Sequence, residues 1–171
     1  MINTNTEDVT LRVVDIVDGT TVDGPGFRTS IYFAGCEHHC PGCQNPATWD
    51  PMAGKGMTIG ELLQRIEEND FDVTFSGGDP LFQAEPLALL AREIRKLGKT
   101  IWCYTGYLFE TVQHDKRLSA LLPFIDVMVD GPFAESQRDI ELLFRGSSNQ
   151  RLISVAETLA SGHIVLWKSD F

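Results

Sequence analysis

Apolar positions along the chain fall into short β-branched runs separated by stretches of helical spacing. Residues 11–17 (LRVVDIV), 29–34 (TSIYFA), 71–75 (FDVTF), 100–104 (TIWCY) and 124–129 (FIDVMV) each read as a strand. Residues 151–155 and 164–167 predict two more near the end. Thr58-Ile-Gly-Glu61 is a capping box: the threonine hydroxyl can take the amide of Glu61 while the glutamate reaches back. Ile59, Leu62, Leu63 and Ile66 then form the apolar stripe of a short helix. Leu87, Leu90, Ala91, Ile94 and Leu97 keep the same period, with Gly98 as a stop. A third helical stretch covers about 108–122.

Strands alternating with helices predict right-handed parallel crossovers, hence an α/β domain. Ligands in such sheets gather at the carboxyl ends of the strands. Those ends carry the unusual residues: 36–43, 76–80, 104–106 and 130–132 converge on one rim. The chain is too short for an eight-unit barrel of ordinary size. The expectation is a partial (β/α) barrel of about five or six mostly parallel strands, a single domain over 11–171 after a loose, polar segment at 1–10. No internal repeat, low-complexity tract or dividing linker is evident.

Composition narrows the chemistry. The chain has 171 residues, 43% hydrophobic and 22% charged, enough for one core without disulfide staples. A formal net charge of −10 repels phosphate backbones and anionic lipid, so neither nucleic acid nor a membrane is expected as a partner. No apolar run reaches the roughly twenty residues of a membrane span. MINTNTEDVT lacks the basic and apolar parts of a signal peptide, so a cytoplasmic location, with reduced thiols, is expected. There the four cysteines (36, 40, 43 and 103) point to metal or redox chemistry.

GCEHHCPGC, residues 35–43, sets Cys36, Cys40 and Cys43 on one loop after a strand. Zinc would want a fourth ligand. His38 and His39 are flanked too tightly by Cys36 and Cys40 to serve without strain, which leaves Cys103 on a neighbouring strand. A [4Fe–4S] cubane takes one cysteine per iron, so three leave one iron open for an external ligand. SGGDP (76–80) ends another strand on the same rim. Its paired glycines would let backbone approach a small zwitterion, or they are an ordinary strand-to-helix turn opened by Asp79 and Pro80. Cys103, His114 and His163 read as structural, and Trp102 and Phe133 as packing. Arg28 suits either an anchor for the DGPG turn or a carboxylate partner. Arg145, Ser147, Ser148 and Asn149 form a polar loop suited to ligand contact or to docking of another chain.

CEHHCPGC resembles the CxxxCxxC loop of radical S-adenosylmethionine enzymes, and SGGDP resembles their glycine-rich motif. The longer string DGPGFRTSIYFAGCEHHCPGCQNPATWD is similar to the glycyl-radical-enzyme activases, and their anaerobic ribonucleotide reductase activating proteins match best. WCYTGYLFE, VDGPF and FRGSSNQR fit the same group, so the likeness runs from about Val13 to Trp167. The eight-cysteine insert of the larger activases is absent, and one cluster is expected.

The resemblance implies that Cys36, Cys40 and Cys43 ligate three irons of a [4Fe–4S] cluster, and that the fourth iron binds the amino and carboxylate groups of S-adenosyl-L-methionine. One electron, from a low-potential donor such as flavodoxin, would cleave the sulfonium. The resulting 5′-deoxyadenosyl radical would take hydrogen from a backbone glycine of the large reductase subunit. Ser76, Gly77, Gly78 and Asp79 would hold the methionyl amino group. Tyr104 and Thr105 would meet the ribose and carboxylate, Asp130 the ligand as well, and His38 either the adenine or only solvent. Two rivals stand beside this: a radical S-adenosylmethionine enzyme acting on a small molecule, such as one making a deazapurine ring, and a non-catalytic zinc or iron–sulfur module with a closed site.

Overall fold

In a computed structural model, residues 5–170 are described. The segment expected to be loose lies partly outside them, at 1–4. Thr6–Asp8 make a 3-10 turn, and the first strand, β1 (Thr10–Thr20), already pairs at Thr10.

The chain continues through β2 (Arg28–Phe33), β3 (Lys55–Thr58), α1 (Ile59–Glu67), β4 (Asp72–Gly77) and α2 (Ala84–Lys96). It then forms β5 (Ile101–Tyr104), α3 (Phe109–His114), β6 (Val127–Asp130), β7 (Arg151–Ser154) and α4 (Val155–Ser161). One seven-stranded sheet results, in the order β3-β1-β2-β4-β5-β6-β7. β2, β4, β5 and β6 run parallel, whereas β1, β3 and β7 join antiparallel. The architecture is mixed α/β with a parallel-rich sheet, as expected; the sheet is open, with β3 and β7 as edges, and where a partial barrel of five or six mostly parallel strands was expected it has four parallel strands with antiparallel flanks. Apolar periodicity marks a strand without marking its direction, and the flanks depend on that direction.

The helices follow local chemistry. Both halves of the Thr58–Glu61 box form: the Glu61 amide donates to Thr58 Oγ1 at 3.1 Å and the Thr58 amide to Glu61 Oε2 at 2.8 Å. The stretch at 108–122 divides into α3 and a 3-10 segment, Leu118–Phe124, which contains Pro123. Residues 164–167, expected as a strand, contribute a bridge from Leu166 to Ile153, and α4 was not foreseen. No helix among the described residues is long and apolar enough to cross a membrane.

Alternation gives the sheet two unlike faces. Ile31, Phe33, Val73, Phe75, Ile101, Cys103 and Met128 face the helices and make the main core with Leu62, Leu87, Leu90 and Ile94. The other face carries Arg28, Ser30 and Tyr32, then Thr74 and Ser76, then Trp102 and Tyr104, in register. Toward β7 this second face becomes apolar, where Trp102, Val127 and Val129 pack with Phe144, Leu152 and Trp167. Arg28 settles as an anchor. It is 1% exposed, its Nε donates to Thr74 Oγ1 at 2.8 Å, its Nη2 donates to the Val73 carbonyl at 2.7 Å, and its guanidinium lies 5.8 Å from the Trp102 ring centre. Asp72, its nearest carboxylate partner, stands off at 3.9 Å.

Candidate metal centre

β2 delivers the chain to Gly35 and Cys36 at its carboxyl end, and backbone bonds hold the loop that follows. The Gly35 amide donates to the Thr48 carbonyl at 2.8 Å, Cys36 to Trp49 at 3.2 Å, and Cys43 to Cys40 at 3.0 Å. Cys36, Cys40 and Cys43 are half-buried free thiols lining one cleft, shared with His38, Ser76, Gly77, Gly78, Tyr104 and Thr105. Cys103 is fully buried in the core, on the face of β5 turned to the helices. Among the described residues, no three His, Cys, Asp or Glu side chains converge on a single metal ion. Three thiols spread along one concave loop are the soft donor set that an iron–sulfur cluster uses. The residues fit that group.

The two glycines of SGGDP serve the protein's own backbone. A Cβ at Gly78 would lie 2.5 Å from the Gly35 carbonyl oxygen and 2.8 Å from that of Thr48. At Gly77, where φ is +109°, it would lie 2.3 Å from the Phe33 nitrogen. With both side chains absent, the end of β4 closes against the start of the cysteine loop. The Gly78 amide donates to Phe33 at 2.9 Å and the Asp79 amide to Gly35 at 2.8 Å. Both glycines still border the cleft.

Asp79, expected to hold a ligand amino group, is engaged by the protein itself. It is 2% exposed and its oxygens are engaged by protein. Oδ1 accepts the Leu81 amide at 2.9 Å; Oδ2 accepts the Thr105 hydroxyl at 2.9 Å and the Gly106 amide at 3.0 Å, and lies 2.6 Å from His38 Nε2. That contact raises the His38 pKa above its ordinary value, against the opposing effect of burial. His38 is partly buried beside the cleft: its ring sits over Gly106 and edge-on to Tyr107 at 4.5 Å.

Asp130, expected to meet the ligand, is paired inside the protein. It is fully buried, accepts Arg151 Nε at 3.0 Å, Arg151 Nη2 at 2.5 Å and the Phe109 amide at 2.8 Å, and does not border the cleft. A strand-end position alone cannot show that a carboxylate is paired inward. Tyr104 does border the cleft, and its hydroxyl donates to the Phe144 carbonyl at 2.5 Å. Burial pushes its phenol pKa up. Burial likewise raises the Cys36 thiol, partly offset by the neighbouring backbone of His38 and His39. A bound metal cation would reverse that preference and favour the thiolate.

Several wall residues carried no role in the sequence reading. Trp49 stacks on His39, 4.5 Å between centres and 8° between planes. Phe133, read as packing, borders the cleft, as do Gly106, Gly131 and Gln150. Gln150 Nε2 donates to the Gly131 carbonyl at 3.1 Å, tying two strand-end loops together. The signal for Trp49 and Gln150 was present only as their place inside the ATWD and FRGSSNQR strings.

Comparison with known proteins agrees with this site. Residues 22–153 match the family model described as "4Fe-4S single cluster domain". Three curated relatives share the printed name anaerobic ribonucleoside-triphosphate reductase-activating protein. That of Vibrio cholerae is 39% identical over 75% of this chain and 88% of its own, and that of Escherichia coli K12 37% over 75% and 89%. That of enterobacteria phage T4 is 34% identical over 87% and 93%. The chain belongs to the anaerobic ribonucleoside-triphosphate reductase-activating protein family. As a member it is an activating enzyme, an oxidoreductase with a single 4Fe–4S domain. Among solved structures, QueE from Escherichia coli overlaps 57% of this chain and 53% of its own at a TM-score of 0.49 and 18% identity, too slight a match to carry an argument.

Proposed function

We propose that this protein activates an anaerobic ribonucleotide reductase by installing a glycyl radical in its large catalytic subunit. The carrying observation is that Cys36, Cys40 and Cys43 share one cleft with Ser76, Gly77 and Gly78 at the adjoining strand end. Cys36, Cys40 and Cys43 hold a [4Fe–4S] cluster with one iron left for S-adenosyl-L-methionine. When bound, that pair supplies one-electron cleavage of the sulfonium and the deoxyadenosyl radical that takes hydrogen from the partner's glycine.

The chain's own part is binding, orientation and exclusion of side reactions. Ser76, Gly77 and Gly78 offer polar backbone and hydroxyl groups to the methionyl end. Tyr104 and Thr105 form the opposite wall, and Trp49 and Phe133 give it apolar surfaces that limit water. The electron comes from a low-potential donor of the flavodoxin type, and the reaction belongs in the cytoplasm.

Anaerobic reconstitution with iron and sulfide, followed by reduction, tests the reading by electron paramagnetic resonance. The expected result is a reduced cubane signal that shifts on adding S-adenosyl-L-methionine, 5′-deoxyadenosine on chromatography, and an organic radical once the reductase is added. Turnover with a small molecule alone would replace this reading with the first rival. One tight zinc and no response to the ligand would replace it with a closed structural site.

A further inference from the structure

His38 is bound on three sides by elements it does not belong to. Nε2 lies 2.6 Å from Asp79 Oδ2, the ring covers Gly106 so closely that a Cβ there would lie 2.5 Å from it, and Tyr107 meets it edge-on. The same Asp79 oxygen takes the Thr105 hydroxyl and the Gly106 amide, so one buried atom joins the cysteine loop to the end of β5. Asp79 is itself fixed by its amide to Gly35 and by its Oδ1 to Leu81.

On the loop side, the backbone that leaves Cys36 runs through His38 and His39 before it reaches Cys40. His39 has φ of +47°, a region that residues other than glycine seldom enter, and its ring is stacked on Trp49. The backbone between Cys36 and Cys40 is therefore held in a shape that it would not keep by itself, pinned by one ring on each side.

We propose that His38 is a positioning residue for the cluster: through Asp79 it holds the backbone between Cys36 and Cys40 in the shape that keeps both thiols on the cleft, and Asp79 serves as the strut instead of a direct ligand contact. The reduction potential of a cluster follows the hydrogen bonds and solvent exposure around its sulfurs, so a loosened loop shifts it. The inference rests on Cys36 being a cluster ligand, but part of its test does not need the cluster.

The test compares the full-length protein with His38→Ala and with His38→Gln, whose amide nitrogen can replace Nε2 toward Asp79. Hydrogen exchange at residues 38–40 is read on the cluster-free protein, and the midpoint potential on the reconstituted one by redox titration. Expected for His38→Ala is exchange faster by roughly tenfold, the scale of one charge-assisted hydrogen bond, and a shifted potential. Expected for His38→Gln is a return of both most of the way to wild type. Unchanged exchange and potential in His38→Ala, or no recovery in His38→Gln, overturns the proposal. A protein that takes up no cluster defeats the activase reading, and the exchange measurement then still decides whether His38 holds the loop.

Discussion

Gly78 approaches Gly35 so closely that a single added methyl would lie 2.5 Å from the Gly35 carbonyl oxygen. The neighbour is backbone, as is the Thr48 oxygen at 2.8 Å, so no side chain can swing away to make room. Gly78→Ala is expected to push the end of β4 off the cysteine loop, at a cost of about 2 kcal/mol, in the range for overpacking. Urea unfolding measures the cost, and iron content after reconstitution should fall with it. Wild-type stability and iron loading would remove the steric account of this glycine.

Cys43→Ala and Cys103→Ala should part company. Cys43 borders the cleft, and its loss is expected to cut iron retention severely. Cys103 is sealed in the core, so Cys103→Ala should keep its iron and lose about 1 kcal/mol of stability, the scale of a small cavity. Equal iron loss in both would make Cys103 a ligand.

Arg151 bridges Asp130, which is fully buried, and Glu110, which is half-exposed. Arg151→Met strands the Asp130 carboxylate with the Phe109 amide as its remaining partner, and should cost about 3 kcal/mol, as for broken buried pairs. Affinity for S-adenosyl-L-methionine should change little, because neither residue borders the cleft.

The outer arm of that bridge sets a pH signature. Arg151 holds the Glu110 carboxyl below its usual range. An acid depressed in the folded state contributes stability that is complete above its unfolded pKa, about 4.3, and lost as pH falls through the lower folded value. Glu110→Gln should therefore cost under about 1 kcal/mol near neutrality, given its exposure. Unfolding curves of mutant and wild type should converge in acid.

Tyr104→Phe removes the hydroxyl that holds the Phe144 carbonyl, while the aromatic packing of Phe144 on Trp102 at 5.3 Å remains. The segment around 138–146 should open more often, and trypsin should cut at Arg138 and Arg145 several-fold faster under native conditions. Unaltered cleavage would assign the hold on this segment to the aromatic trio alone.

What could be read from the sequence was what neighbouring residues settle between themselves. The Thr58–Glu61 box depends on residues three apart, and the helix ending before Gly98 depends on a glycine that takes φ of +75°. The three cysteines lie on one loop, so their shared cleft followed from spacing. β3 was missed because KGMT shows no apolar alternation and is held mainly by its ladder to β1. The protein partners of Asp130 and Asp79 could not be read for one reason: Arg151 for one, His38 and Thr105 for the other, are more than twenty residues away in the chain. Strand ends bring such partners together only after the sheet is formed.

Because β2, β4 and β5 come from three separate stretches of chain, the wall opposite the thiols is added late. A nascent chain that has emerged as far as Gln83 carries all three cleft cysteines, yet lacks Tyr104, Thr105 and Gly106, which line the same cleft. Thr105 and Gly106 must still arrive to meet His38 and Asp79. The hydrogen-bonded knot around Asp79, beside the three thiols, is thus tied only when the segment after β5 has joined the sheet.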